Sequence, residues 1–160
     1  MAWRGTTTVP DRILACLPYL LPLSGAVLVG LKGGIFNLLP PAVSDPLLTL
    51  GGLLAPLSTG FIGLAVFFAL FLLVVRNTDI QHFIRFNTMQ ALLIDFLLVA
   101  CSIVLDLLSQ GLGQAIVLPI LYNTIFLGGI AAIIYAVVQS LIGRYAEIPT
   151  ISDAVYAQVR

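Results

Sequence analysis

The stretch HFIRFNTMQALLIDFLLVACSIVLDLL, residues 82–108, decides the fold. It is long and apolar enough to cross a bilayer as a helix, which takes about 20 residues. Yet it opens on Arg85, Asn87 and Gln90, and it carries Asp95 near its middle and Asp106 near its far end. A charge at the bilayer centre costs at least about 2.5–3.5 kcal/mol on insertion scales. What surrounds those carboxylates has to come from the rest of the chain.

Of the 160 residues, 60% are hydrophobic and only 9% are charged. The mean hydropathy is +1.12. A soluble domain carries about 25% charged residues, so this chain cannot cover a water-facing surface, and lipid is its natural solvent. The net charge is zero. No basic patch points to nucleic acid and no acidic tail points to a basic partner. Cys16 and Cys101 lie inside apolar segments and read as small packing residues rather than metal ligands or a disulfide.

Four apolar segments, at about 13–31, 57–75, 84–108 and 117–142, are each near spanning length. The expected fold is therefore all-α, a polytopic membrane protein with a bundle of four transmembrane helices, in one domain over 1–160. The first segment has the outline of a signal peptide, with Arg4 and Arg12 ahead of it and Ser24-Gly25-Ala26 as a cleavage-like site. Its apolar run continues past that site and contains Pro18 and Pro22, so a Pro-kinked span is the better reading. Between the first two segments, Ser44-Asp45-Pro46 resembles a helix start. Residues 44–54 then form a short interfacial helix or an ordered loop. Four spans place Arg4, Arg12, Arg76, Arg85, Arg144 and Arg160 on one side and Lys32 alone on the other. That asymmetry predicts both termini and the 76–85 hairpin on the cytoplasmic or stromal face.

On a helical projection of the third segment, Thr88, Asp95, Ser102, Asp106 and Ser109 fall within about 40° of one line. Such a narrow stripe faces a partner helix, a second protomer or water. Asp95 lies about 15 Å beyond Arg85 by helix rise, and no Lys or Arg sits at its depth. Either it is a neutral acid bonded to a Ser, Thr, Tyr or backbone carbonyl of a neighbour, or it faces a polar path or a partner. Asp106 lies near the far interface, where water solvates it. Asn87 and Gln90 fall off the stripe, within the first turns, where headgroups would solvate them. The fourth segment carries Thr124, Gly128, Ala132, Tyr135 and Gln139 on one ridge. Its small residues predict close packing against the third helix, with Tyr135 and Gln139 as hydrogen-bond partners for it.

No catalytic constellation is present. His82 is the single histidine and sits beside a hairpin turn, as a headgroup-level or capping residue. There is no HExxH, GxSxG or Walker-type loop. Asp95 and Asp106 are about 16 Å apart along one helix, too far for paired acid–base work. Neither an enzyme nor a cofactor nor a bound metal is expected.

Three stretches together resemble the Tic20 family of small four-helix membrane proteins of the chloroplast inner envelope and their cyanobacterial and red-algal relatives. They are DRILACLPYLLPLSG (11–25), HFIRFNTMQALLIDFLL (82–98) and IPTISDAVYAQV (148–159). The core RFNTMQALLID (85–95) also resembles a broader group of small bacterial membrane proteins. With twelve residues ahead of the first span, a cyanobacterial or plastid-encoded member is the expectation. The resemblance implies a role in protein translocation, in a cyanobacterial plasma or thylakoid membrane or the plastid inner envelope. The partners it implies are other membrane proteins, further copies of the chain and transiting polypeptides. Two functions follow: a translocon component, channel-forming as an oligomer or with partners, with the Asp95 stripe on its polar route; or a structural and assembly factor that binds other membrane proteins.

Overall fold

The computed structural model describes residues 7–112, 116–149 and 151–159. Arg4 and Arg160, both used in the charge count above, lie outside the described residues. Every element among the described residues is helical.

Helix α1 spans Val9–Gly33. It starts at a capping box, in which Asp11 accepts from the Thr8 backbone N–H at 2.8 Å while Thr8 Oγ1 accepts from the Asp11 N–H at 3.5 Å. The missing N–H of Pro18 tightens the helix into a 3-10 turn, Leu17–Tyr19, without breaking it. Gly34, at φ 71°, caps the far end.

Helix α2, Pro41–Ser58, begins with Pro41 at its first position. The Ser44-Asp45-Pro46 start is displaced three residues upstream by that proline, and 44–54 lies inside a longer helix. Pro56 leaves the Gly52 carbonyl without a donor, and the helix stops two residues later. The Ser58 and Thr59 hydroxyls turn back on the Ala55 carbonyl at 3.4 and 2.7 Å. Gly60 takes φ 59°, open to residues without a Cβ, and the chain leaves as α3, Gly60–Val75, bent by 79° from α2. The expected straight span 57–75 is thus the second limb of a broken pair. Its start at 57 falls on the last turn of α2, because the sequence's apolar run continues through a corner that hydroxyls and a glycine make.

Helix α4 runs His82–Leu112 and α5 runs Val117–Ile142. A short helix α6, Ile151–Gln158, folds back on α4. Three unbroken helices, α1, α4 and α5, are long and apolar enough to cross a membrane, and the α2–α3 pair is a fourth candidate. Helix α1 occupies the middle, packed against α2, α4 and α5. One apolar core joins Tyr19, Val27, Phe36, Leu98, Phe126 and Ile133. A second joins Leu21, Val75, Phe86, Leu92 and Val155 at the end where the termini lie.

Candidate intramembrane polar site

Around its first turns, α4 is buried on every side: all eight residues from Arg85 to Leu92 are buried. Asn87 and Gln90 are therefore not solvated by headgroups, as their position in the sequence suggested; both are 0% exposed. α6 and the hairpin cover the turns that would otherwise meet lipid headgroups. Asn87 Oδ1 accepts from Tyr19 Oη of α1 at 3.0 Å and from Ser140 Oγ of α5 at 2.7 Å. Its amide nitrogen donates to the Phe83 carbonyl at 2.8 Å. One side chain thus ties three helices together through a shared acceptor. Arg85 Nε donates to the Val75 carbonyl at 2.8 Å and closes the end of α3. His82 Nε2 lies 3.3 Å from the Val159 carbonyl, which can only accept, so this nitrogen carries the proton. Nδ1 then accepts from the Tyr145 hydroxyl at 3.1 Å.

The stripe of α4 faces α1 and the corner of the broken pair. Thr88 is buried and donates to the Ile84 carbonyl of its own helix at 2.9 Å. Asp95, 8% exposed, lies against Gly25 of α1, where an added Cβ would stand 3.1 Å from Oδ1. Oδ1 is buried with no hydrogen-bond partner among the described residues, so no neighbouring hydroxyl satisfies that oxygen. Both side-chain heteroatoms of Gln90 are in the same condition. Lower on the stripe, Lys32 Nζ donates to Ser102 Oγ at 3.0 Å and to Asp106 Oδ2 at 2.6 Å. Tyr122 Oη donates to Asp106 Oδ1 at 2.5 Å. Asp106 is thus ion-paired rather than simply solvated. The residue that the charge count left alone on the far side is its partner, which equal depth in the sequence could have indicated. Two further residues escaped the sequence reading: Ser58 Oγ donates to Ser24 Oγ at 2.8 Å, and Ser24 donates to the Gly51 carbonyl at 3.3 Å, pinning α2 to α1.

Two grooves flank this contact. The first, of about 620 Å³, lies between α1, the inner side of the bent pair and the start of α4. Its wall is Leu, Ile and Val with Thr88, and Asp79 and Gln81 border it. The second, of about 540 Å³, is framed by Gly25 and Lys32 of α1, the corner at 58–60, and Leu98 and Ser102 of α4. Thr88 lines one groove and Ser102 the other, with Asp95 between them along α4.

The ridge on α5 is placed differently from the expectation. Thr124, Gly128 and Tyr135 are exposed, and Ala132 and Gln139 are half-buried. A Cβ on Gly128 would meet nothing within 4 Å. The helix packs instead through Leu118, Tyr122, Phe126, Gly129, Ile133, Ala136 and Ser140. Tyr135 Oη donates to the Glu147 carbonyl at 3.5 Å, not to α4. Cys16 and Cys101 are free thiols. Among the described residues, no three His, Cys, Asp or Glu side chains come together as a metal site would need.

Fold and site together define a polytopic helical membrane protein with a polar interhelical face. The model of the family described as "Chloroplast import apparatus Tic20-like" matches residues 7–155, and the chain belongs to this family. It is 42% identical to a Tic20 family protein of Synechocystis sp., over 100% of this chain and 99% of that protein. It is 32% identical to Protein TIC 20-II, chloroplastic, of Arabidopsis thaliana, over 64% of this chain and 50% of that protein. It is 30% identical to the Tic20 family protein Ycf60 of Gracilaria tenuistipitata var. liui, over 95% of this chain and 76% of that protein.

Proposed function

We propose that this chain is a non-enzymatic, integral component of a protein translocation system, in which the Thr88–Asp95–Ser102–Asp106 stripe lies on a polar route. The observation that carries this reading is Asp95: a buried carboxylate oxygen without a partner among the described residues, set between one groove that Thr88 lines and another that Ser102 lines. A buried polar group left unpaired is unfavourable, and where it persists it marks function more often than packing. One copy encloses little space, so a channel would take several copies or other membrane proteins. Both termini and the 76–85 hairpin would face the cytoplasm or stroma, in a cyanobacterial plasma or thylakoid membrane or the plastid inner envelope. A second reading, an assembly factor for other membrane proteins, draws on the outward positions Thr124 and Gly128 of α5, which the described residues leave exposed.

Crosslinking in vivo from a photoreactive residue at position 95 or 102 tests the choice. Capture of many transiting polypeptides is the expected outcome; capture of one stable membrane protein favours the assembly reading. Asp95→Asn and Asp95→Leu should both lower translocation and conductance of the reconstituted protein, Leu more than Asn. If neither variant changes growth, partners or conductance, the role given to this carboxylate is wrong.

A further inference from the structure

A third cavity, of about 340 Å³, lies away from the Asp95 face, at the end of α5 nearest the termini. It is bordered by Thr7, Tyr135, Gln139, Gly143, Arg144 and Glu147. The positive φ of Gly143, 81°, ends α5 and swings the chain so that Arg144 and Glu147 come back over the last two turns. Tyr135 and Gln139, one turn apart on α5, form the other wall, and the bond from Tyr135 Oη to the Glu147 carbonyl closes it. The Arg12 guanidinium runs beneath, 2.9 Å from where a Gly143 Cβ would stand, held by Thr7 and by the Leu141 carbonyl.

Among the described residues, two guanidiniums, of Arg12 and Arg144, stand beside one carboxylate, that of Glu147. Among the described residues, the Arg144 side chain makes no hydrogen bond or ion pair, although it lines a polar cavity. The spanning helix ends at Ile142, and Val138 and Ile142, exposed beside the cavity, are apolar. A polar, basic cavity at a helix end, over bare apolar helix surface, has the chemistry of a lipid site: anion above, hydrocarbon below. Arg favours phosphate oxygens, which accept its forked N–H groups two at a time.

We propose that this cavity binds the phosphate headgroup of an anionic phospholipid, with Arg144, Gln139 and Tyr135 on the headgroup and the acyl chains against Val138 and Ile142. Native mass spectrometry of the full chain, released from micelles doped equally with phosphatidylglycerol and phosphatidylcholine, tests it. Wild type should retain phosphatidylglycerol in excess. Arg144→Gln should lower that excess about fivefold, as loss of one basic contact at a membrane surface predicts. Gln139→Leu should lower it as well, and Arg76→Gln, on the exposed hairpin outside the cavity, should not. Equal retention of the two lipids, or an equal effect of Arg76→Gln, overturns the proposal. So does displacement of the lipid by free glycerol phosphate, which would make this a solute site.

Discussion

At the scale of single residues, Asn87 does the most with the fewest atoms. Its Oδ1 is the acceptor shared by Tyr19 and Ser140, so its removal affects three helices. The two donors do not lose equally. Ser140 can turn its one O–H to the Ala136 carbonyl at 2.8 Å, whereas no second acceptor is there for the Tyr19 hydroxyl among the described residues. Asn87→Ala should therefore cost roughly 1–3 kcal/mol, the penalty of a buried donor left unmade. Tyr19→Phe removes only one bond and should cost nearer the ~0.6 kcal/mol average of interhelical bonds in membranes. Unfolding by SDS, followed by far-UV circular dichroism, separates the two. Equal losses would mean that the shared acceptor is not what joins the helices. The Lys32–Asp106 pair ranks lower despite its 2.6 Å separation, since its side chains are 42% and 47% exposed. Exposed pairs contribute about 0–1 kcal/mol, so this one aligns α1 and α4 more than it stabilises them.

At the scale of elements, periodicity carried the sequence reading well and side-chain size carried it less well. The stripe on α4 was legible because α4 is one unbroken helix, so a 100° step stays in phase from Thr88 to Asp106. What the stripe faces was not legible, because it depends on Gly25 and Lys32 of another helix. The small-residue ridge of α5 misled for a related reason. Gly128 and Gly129 are adjacent, and only the partner decides which of them packs; Tyr122, Phe126 and Ile133 bring Gly129 inward. A close approach of α5 to α1 lies elsewhere, where a Cβ on Gly33 would clash with Asn123 Oδ1 and stand 3.0 Å from the Asn123 backbone nitrogen. Gly33→Ala should therefore destabilise by about 1–3 kcal/mol through overpacking. Gly128→Ala should be neutral, or stabilising by up to about 1 kcal/mol, because alanine is the better helix former. The same SDS titration reads both. A loss of stability with Gly128→Ala would show that a second chain covers that ridge. The break at 58–60 was hidden in the sequence because the residues that make it, Ser58, Thr59 and Gly60, sit in an apolar run that hydropathy alone joins into one span.

At the scale of the molecule, the three stretches that carry the family resemblance meet at one end. Tyr19 and Leu21 come from the first, Phe86 and Asn87 from the second, and Val155 from the third. Phe86 meets Tyr145 edge-to-face and Tyr156 at a tilt, ring centroids 4.9 Å apart in both pairs, which closes the tail over α4. The stretches that carry the resemblance therefore build a core at the terminal end of the bundle and reach, through Gly25 and Asp95, the Asp95 face. The same contacts fix the path of the chain. Tyr19 meets Asn87 at one end and Lys32 meets Asp106 at the other, so α1 and α4 run parallel. Tyr122 on Asp106 and Ser140 on Asn87 make α5 antiparallel to both. Parallel α1 and α4 begin at the same end, so the segment joining them has to return across the bundle. The bent α2–α3 pair must then cross the membrane as a broken fourth span, since a re-entrant loop would leave α4 starting at the wrong end. Single cysteines on a background with Cys16 and Cys101 replaced by alanine test this directly. With a membrane-impermeant maleimide on sealed vesicles of one orientation, Asp79→Cys and Asp153→Cys should label from one side. Asn37→Cys, exposed just after α1, should label only from the other. Labelling of positions 37 and 79 from the same side would make α2–α3 a re-entrant loop and would break the parallel pairing on which the Asp95 face depends.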